Sequence, residues 1–131
     1  MACAFDSSAL LAMLGNERGG ARVLATIQEL RQREEPLLIT SVNLGEIWYV
    51  IAGKHSSELA EAAVSDLRKL GLEVVPADWK LARLAAELKA STKTSYGDCF
   101  AAALAMQRGV PVVTRDRGFR VFGKRISVQF A

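Results

Sequence analysis

The sequence predicts a single α/β domain in which a central parallel sheet of about five short strands carries helices on both faces. Three observations predict it. Apolar runs too brief for helices alternate with longer segments whose apolar residues recur at helical spacing, the pattern of successive β–α units. The chain has 131 residues, enough to bury about two-thirds of its unfolded surface in one core and too few for two. No repeat, linker or low-complexity stretch breaks the pattern, and 50% hydrophobic with 24% charged residues is an ordinary globular balance.

Each element follows in order. Ala2 to Phe5 is a short apolar strand that stops at Asp6, and Ser7 to Leu14 is a helix halted by Gly15 and Asn16. Arg18 to Arg33 carries Val23, Leu24, Ile27 and Leu30 on one helical face, and Pro36 ends that segment. Leu37 to Ile39 is a buried strand running into Thr40 and Ser41. Val42 to Ala52 is a helix with an apolar stripe of Leu44, Ile47, Trp48 and Ile51, and Gly53 to Ser57 reads as a loop in which Ser57 caps the next helix. That helix runs to Leu70, where Gly71 terminates it. Leu72 to Val75 is a strand, and Asp78 to Ala90 is a helix bearing Trp79, Leu81, Leu84, Ala85 and Leu88. Ser95 and Asp98 have the spacing of a capping box, opening an alanine-rich helix that ends at Gly109. Val110 to Val113 is a strand, Thr114 to Gly118 a turn, and Ile126 to Phe130 a closing strand. Trp48, Trp79, Phe100 and Phe119 are expected in the core, and His55 is a plain loop residue.

Several classes drop out on composition. No apolar run approaches the roughly 20 residues of a membrane span. The first residues lack a basic lead and already contain Asp6, so a cytoplasmic setting is expected. Cys3 and Cys99 sit among small or apolar neighbours and read as reduced, buried thiols. One histidine and two cysteines cannot complete a structural zinc site. The net charge of +3 is unevenly spread. From Arg108 onward six basic residues face Asp116 alone, a net of +5, leaving −2 for the rest of the chain. Such a quarter suits an anionic partner, nucleic acid first among them.

In an open parallel sheet, function gathers at the carboxyl ends of the strands. Asp6, Glu46, Asp98 and Asp116 all fall there. Asp6 follows four apolar or small residues, an improbable place for a charge. Glu46 shares a helical face with Asn43, opposite the apolar stripe. Asp98 precedes Cys99, Phe100 and a run of alanines that allows close helix packing. Four carboxylates without basic partners repel each other unless a cation lies among them, and oxygen donors suit hard ions such as Mg²⁺ or Mn²⁺.

Four segments carry a family resemblance. Phe5-Asp-Ser-Ser-Ala-Leu-Leu11, Ser41-Val-Asn-Leu-Gly-Glu46, Ser95-Tyr-Gly-Asp-Cys-Phe-Ala-Ala-Ala-Leu-Ala105 and Val113-Thr-Arg-Asp-Arg-Gly-Phe119 are similar, in this order, to the acidic motifs of PIN-domain proteins. Chain length and motif order resemble the VapC toxins of bacterial toxin–antitoxin pairs. The resemblance implies a single PIN-like domain over residues 1–131 and a metal-dependent ribonuclease. Its Mg²⁺ or Mn²⁺ would be held by Asp6 and Asp98 with Asp116 beside them, while Glu46 would bind a second ion or orient the attacking water. Thr114 and Asn43 would stand behind the acids, Thr114 steadying Asp116 or a bound water. Arg115, Arg117 and Arg120 would hold RNA backbone phosphates. Many relatives have a further acid where this chain has Gly118, which leaves the number of metals open. The resemblance also implies a homodimer and an antitoxin. The antitoxin's tail would cross the acidic cleft and dock apolar residues against the segments Val42 to Ile51 and Ser7 to Leu14.

Rival chemistries fit less well. Ser7 and Ser8 lack the nucleophile-elbow glycines, and His55 is the only histidine available as a base. A phosphate-accepting receiver domain would resemble families with paired acids after the first strand and a late lysine, which this chain lacks. A dinucleotide site would need a glycine-rich first turn. A PIN-like scaffold that binds RNA or protein without cutting is the alternative from another class, as is a free-standing PIN nuclease without an antitoxin.

Overall fold

The computed structural model describes residues 1–131. Five strands, β1 (Cys3–Phe5), β2 (Leu37–Thr40), β3 (Leu72–Val75), β4 (Val112–Thr114) and β5 (Val128–Phe130), form one sheet in the order β3-β2-β1-β4-β5. Every neighbouring pair is parallel. The chain lays strands outward from β1 to β3, then crosses back to place β4 on the other side of β1. The carboxyl ends of β1 and β4 therefore flank the point where the winding reverses, the usual place for a binding crevice in such sheets.

Side-chain alternation divides the core in two. Ala4, Leu38, Val75 and Val112 face one way and pack with α5 (Trp79–Ser91), α6 (Tyr96–Arg108) and the 3₁₀ segment Arg117–Arg125. Cys3, Phe5, Leu37, Ile39, Leu72 and Val113 face the other way and meet α1 (Ser7–Leu14), α2 (Gly20–Gln32), α3 (Ser41–Lys54) and α4 (Ser57–Lys69). The helices cover both faces, as the sequence predicts. Both cysteines are free and buried.

The structure departs from the sequence reading at several element boundaries and at two aromatic residues. Helix α3 runs through Gly53 to Lys54, and it is Ser56, not Ser57, whose hydroxyl caps α4 by accepting from Leu59 N. Gly53 is helical, since one glycine costs a helix only about 1 kcal/mol. The stretch after Asp116 is not a plain turn. Phe119 and Phe122, three residues apart, point inward from a 3₁₀ segment that repeats every three residues. Strand β4 starts at Val112 rather than Val110, β5 at Val128 rather than Ile126, and α2 at Gly20 rather than Arg18. Of the four aromatics expected inside, Phe100 and Phe119 are core and Trp48 is half-buried, donating from Nε1 to Glu61. Trp79 is 74% exposed, because at 100° per residue it lies across the helix from Leu81, Ala85 and Leu88.

Candidate active site

The buried polar side chains of the molecule are Asp6, Thr40, Asn43 and Thr114. All four stand at the carboxyl ends of β1, β2 and β4 or one turn beyond. Burying such groups is costly unless each is hydrogen-bonded, and here each is.

Asp6 is 1% exposed and caps α1, accepting from Ala9 N at 2.9 Å. Ser8 Oγ lies 2.8 and 2.9 Å from its two carboxylate oxygens, and Thr114 Oγ1 donates to Oδ2. Thr114 Oγ1 in turn accepts from Asp116 N at 2.9 Å, and Ser8 Oγ accepts from Arg115 N at 3.0 Å. The hydroxyl of Thr114 thus steadies Asp116 through its backbone N–H, and Asp6 as well, a contact the sequence does not predict. On the neighbouring strand, Thr40 caps α3 and donates to Asn43 Oδ1 at 2.6 Å. The Asn43 amide nitrogen then bridges Glu46 Oε1 at 2.8 Å and Gly97 O at 3.0 Å, tying α3 to the first turn of α6. Ser7 Oγ also reaches Glu46 Oε1, at 3.3 Å.

Asp98 lies in the first turn of α6, half-buried, with its N–H donating to the capping hydroxyl of Ser95. Asp116 is exposed and caps the 3₁₀ segment, its Oδ1 accepting from Gly118 N at 2.7 Å. A side chain at Gly118 would begin 3.0 Å from that oxygen, so the glycine leaves the carboxylate unobstructed.

The carboxylates of Asp6 and Asp98 are each disfavoured in their charged form. Burial, opposed by the hydrogen bonds from Thr114, Ala9 and Ser8, pushes the Asp6 carboxyl up to about 6, with the charge of Asp116 adding to the rise. Burial also pushes Asp98 up to about 6, and Asp116, Asp6 and Glu46 all repel its charged form. A cation would relieve this excess of negative charge, and the donors are all oxygens, which suits a hard divalent ion. As they stand, no three or more Asp, Glu, His or Cys side chains are grouped so that they could hold a metal ion. Glu46 Oε1, Asp116 Oδ1 and both oxygens of Asp6 already accept from protein donors, whereas Asp116 Oδ2 accepts none from protein groups.

The model of the PIN domain family matches residues 3–125, which spans all four acidic positions. The chain belongs to the PIN domain family. None of the curated proteins matches it significantly in sequence. Solved structures share the fold at low identity. VapBC2 from Rickettsia felis, bound to a DNA fragment from its promoter, matches with a TM-score of 0.79 at 15% identity, covering 100% of this chain and 99% of that one. VapC20 from Mycobacterium tuberculosis, a Sarcin-Ricin loop cleaving toxin, gives 0.71 at 19%, covering 94% and 95%. VapBC-5 from the same organism, a member of the VapBC family of toxin–antitoxin systems, gives 0.60 at 22%, covering 98% and 96%.

The three arginines have partners within this PIN domain. Arg115 Nη1 binds Glu17 Oε1 at 2.8 Å, and Arg117 and Arg120 lie over the Phe130 ring, 4.9 and 5.5 Å from its centre. Arg117 and Arg120 remain exposed, close in sequence to Asp116. Ser8 and Thr40 were not singled out from sequence as parts of the site. Their signal was position, two residues past Asp6 and three before Asn43. Gly97 carried no such signal. A groove of about 510 Å³ runs between α1, α3 and α4, lined by Leu11, Leu14, Val50, Ile51 and Leu59 and also by Ser8 and Arg115; none of the four acids lines it. No helix is long and apolar enough to cross a membrane.

Proposed function

We propose that this PIN domain is a Mg²⁺- or Mn²⁺-dependent ribonuclease and the toxin of a toxin–antitoxin pair. The observation that carries the reading is the placement of Asp6, Glu46, Asp98 and Asp116 at one edge of the sheet, where the winding reverses and Asp98 senses the charge of the other three. A scaffold that bound RNA without cutting would be hindered by four carboxylates gathered where an anionic backbone must pass.

Asp6 and Asp98 would hold the ion, with Asp116 beside them. When bound, the ion supplies Lewis-acid polarisation of the scissile phosphate and acidifies water. The protein's own groups do the rest. Ser8 and Thr114 fix the plane of the Asp6 carboxylate from two sides. Asn43 pins Oε1 of Glu46, fixing the carboxylate that would bind a second ion or orient the attacking water. Arg117 and Arg120, exposed on the rim, supply positive charge for the RNA backbone.

The antitoxin follows from two supports. VapBC-5 is a toxin–antitoxin protein with this fold. A largely apolar groove between α1, α3 and α4 reaches Ser8, whose hydroxyl contacts Asp6, and offers a tail apolar side chains to dock against. The partner's cationic residue would pair with the carboxylates, for which arginine geometry is suited. A homodimer belongs to the same reading.

The experiment is cleavage of RNA by the purified chain with Mg²⁺ or Mn²⁺, with chelator, and with Asp6→Asn. Cleavage only by wild type with metal is expected. Chelator-resistant cleavage, or full activity in Asp6→Asn, would overturn the reading.

A further inference from the structure

We propose that Gly97 is a positioning residue, its bare Cα serving as the seat on which the Glu46 carboxylate rests at the acidic edge. Gly97 is buried in the first turn of α6, between the capping Ser95 and Asp98. Its φ is not positive, so the backbone does not require glycine. Helix propensity argues against it, because glycine is the poorest helix former after proline, and this helix otherwise favours alanine, as at Ala101, Ala102, Ala103 and Ala105. A close approach remains to explain it.

A Cβ built at Gly97 would stand 2.7 Å from both Cδ and Oε1 of Glu46, and closer still to Oε2. These are the three atoms nearest to that position, and all belong to one carboxyl group. Ordinary contact needs about 3.5 Å, so alanine would force the carboxylate to retreat by about 1 Å. Glu46 is a flexible side chain, and its retreat would leave the fold standing. What it would break is placement. Asn43 holds Glu46 Oε1 at 2.8 Å with the same amide that binds Gly97 O at 3.0 Å. Seat and clamp therefore act together, one from α6 and one from α3, to fix the acid beside Asp98.

The catalytic consequence rests on the ribonuclease reading; the seat itself does not. The test is a cycle of wild type, Gly97→Ala, Glu46→Ala and the double variant, melted at pH 7.5 without metal. Without Glu46's carboxylate, alanine should raise Tm by about 2–4 °C through helix propensity alone. With Glu46 present that gain should vanish or reverse. An equal effect of Gly97→Ala in both backgrounds would overturn the seat.

A second cycle reads the chemistry. Gly97→Ala should lower kcat for RNA cleavage tenfold or more with KM little changed. In a Glu46→Asp background, where the acid is already drawn back by one methylene, it should add no further loss. Losses that multiply, or a rise in KM with kcat intact, would overturn the positioning role. Failure of the wild type to cleave RNA would fall on the ribonuclease reading instead, since the melting cycle decides the seat without activity.

Discussion

Replacing Asp98 with asparagine should make the metal-free protein more stable and inactive at once. The carboxyl of Asp98 is raised from 3.8 to about 6, chiefly by burial and then by the charge of Asp116. A shift of about 2 units corresponds to an upper bound of about 3 kcal/mol. The side chain is half-buried and shares its repulsion with three other acids, and the helix N-terminus favours its charge. About 1–2 kcal/mol is the realistic scale. The sign follows from proton binding. Between about pH 4 and 6 the folded chain keeps a proton that the unfolded chain has released, so stability falls as pH rises through that window. Above it the penalty is complete; below it the penalty is gone. Asparagine carries no charge to bury, and the capping hydroxyl belongs to Ser95, so the helix start survives. Asp98→Asn should therefore melt several degrees higher than wild type at pH 7.5, with the gain lost by pH 4. Urea unfolding at both pH values measures the effect, and RNA cleavage measures the cost. A variant no more stable at pH 7.5, or as active as wild type, would refute the electrostatic reasoning.

Other expectations follow from the same geometry. Millimolar Mg²⁺ or Mn²⁺ should raise the Tm of wild type by mass action and should do so less in Asp98→Asn; a calorimetric scan with and without metal checks this. Thr114→Val removes the donor to Asp6 Oδ2 and the acceptor for Asp116 N. It should cost about 2–3 kcal/mol in urea unfolding and depress cleavage, whereas an unchanged midpoint would show that the bonds contribute nothing. Ile51→Glu, in the wall of the groove, should weaken capture of the product of the adjacent upstream gene in co-expression and size-exclusion chromatography while leaving RNA cleavage intact. Equal capture would move the docking site elsewhere.

Much of this arrangement was legible in the sequence because its causes are local. A short apolar run such as Leu37 to Ile39, bounded by Pro36, is too brief for a helix and reads as a buried strand, and Gly71 and Gly109 stop helices with left-handed backbone, at φ of 103° and 64°. Asp6, Asp98 and Asp116 announce themselves by standing where a strand ends or a helix begins. The rest depends on contacts between distant segments. Nothing near Trp79 in the chain shows that its side chain falls on the outer face of α5. Ser8 reads as an ordinary first-turn residue until β4 is placed beside β1, when its hydroxyl meets Asp6 and Arg115 N. Gly97 is legible only when α3 and α6 are packed together and Glu46 is found lying against it. Arg115 shows the same limit in reverse. Its charge was evident, but its pairing with Glu17 joins residues 98 positions apart.

The most direct test of a shared cation site is anomalous diffraction from crystals grown with Mn²⁺. A manganese peak is expected at the carboxyl edge of the sheet, with oxygens of Asp6 and Asp98 at coordination distance, about 2–2.5 Å, and with Asp116 turned toward it. Crystals that hold Mn²⁺ elsewhere, or that show these four carboxylates ordered without a metal at saturating Mn²⁺, would contradict it.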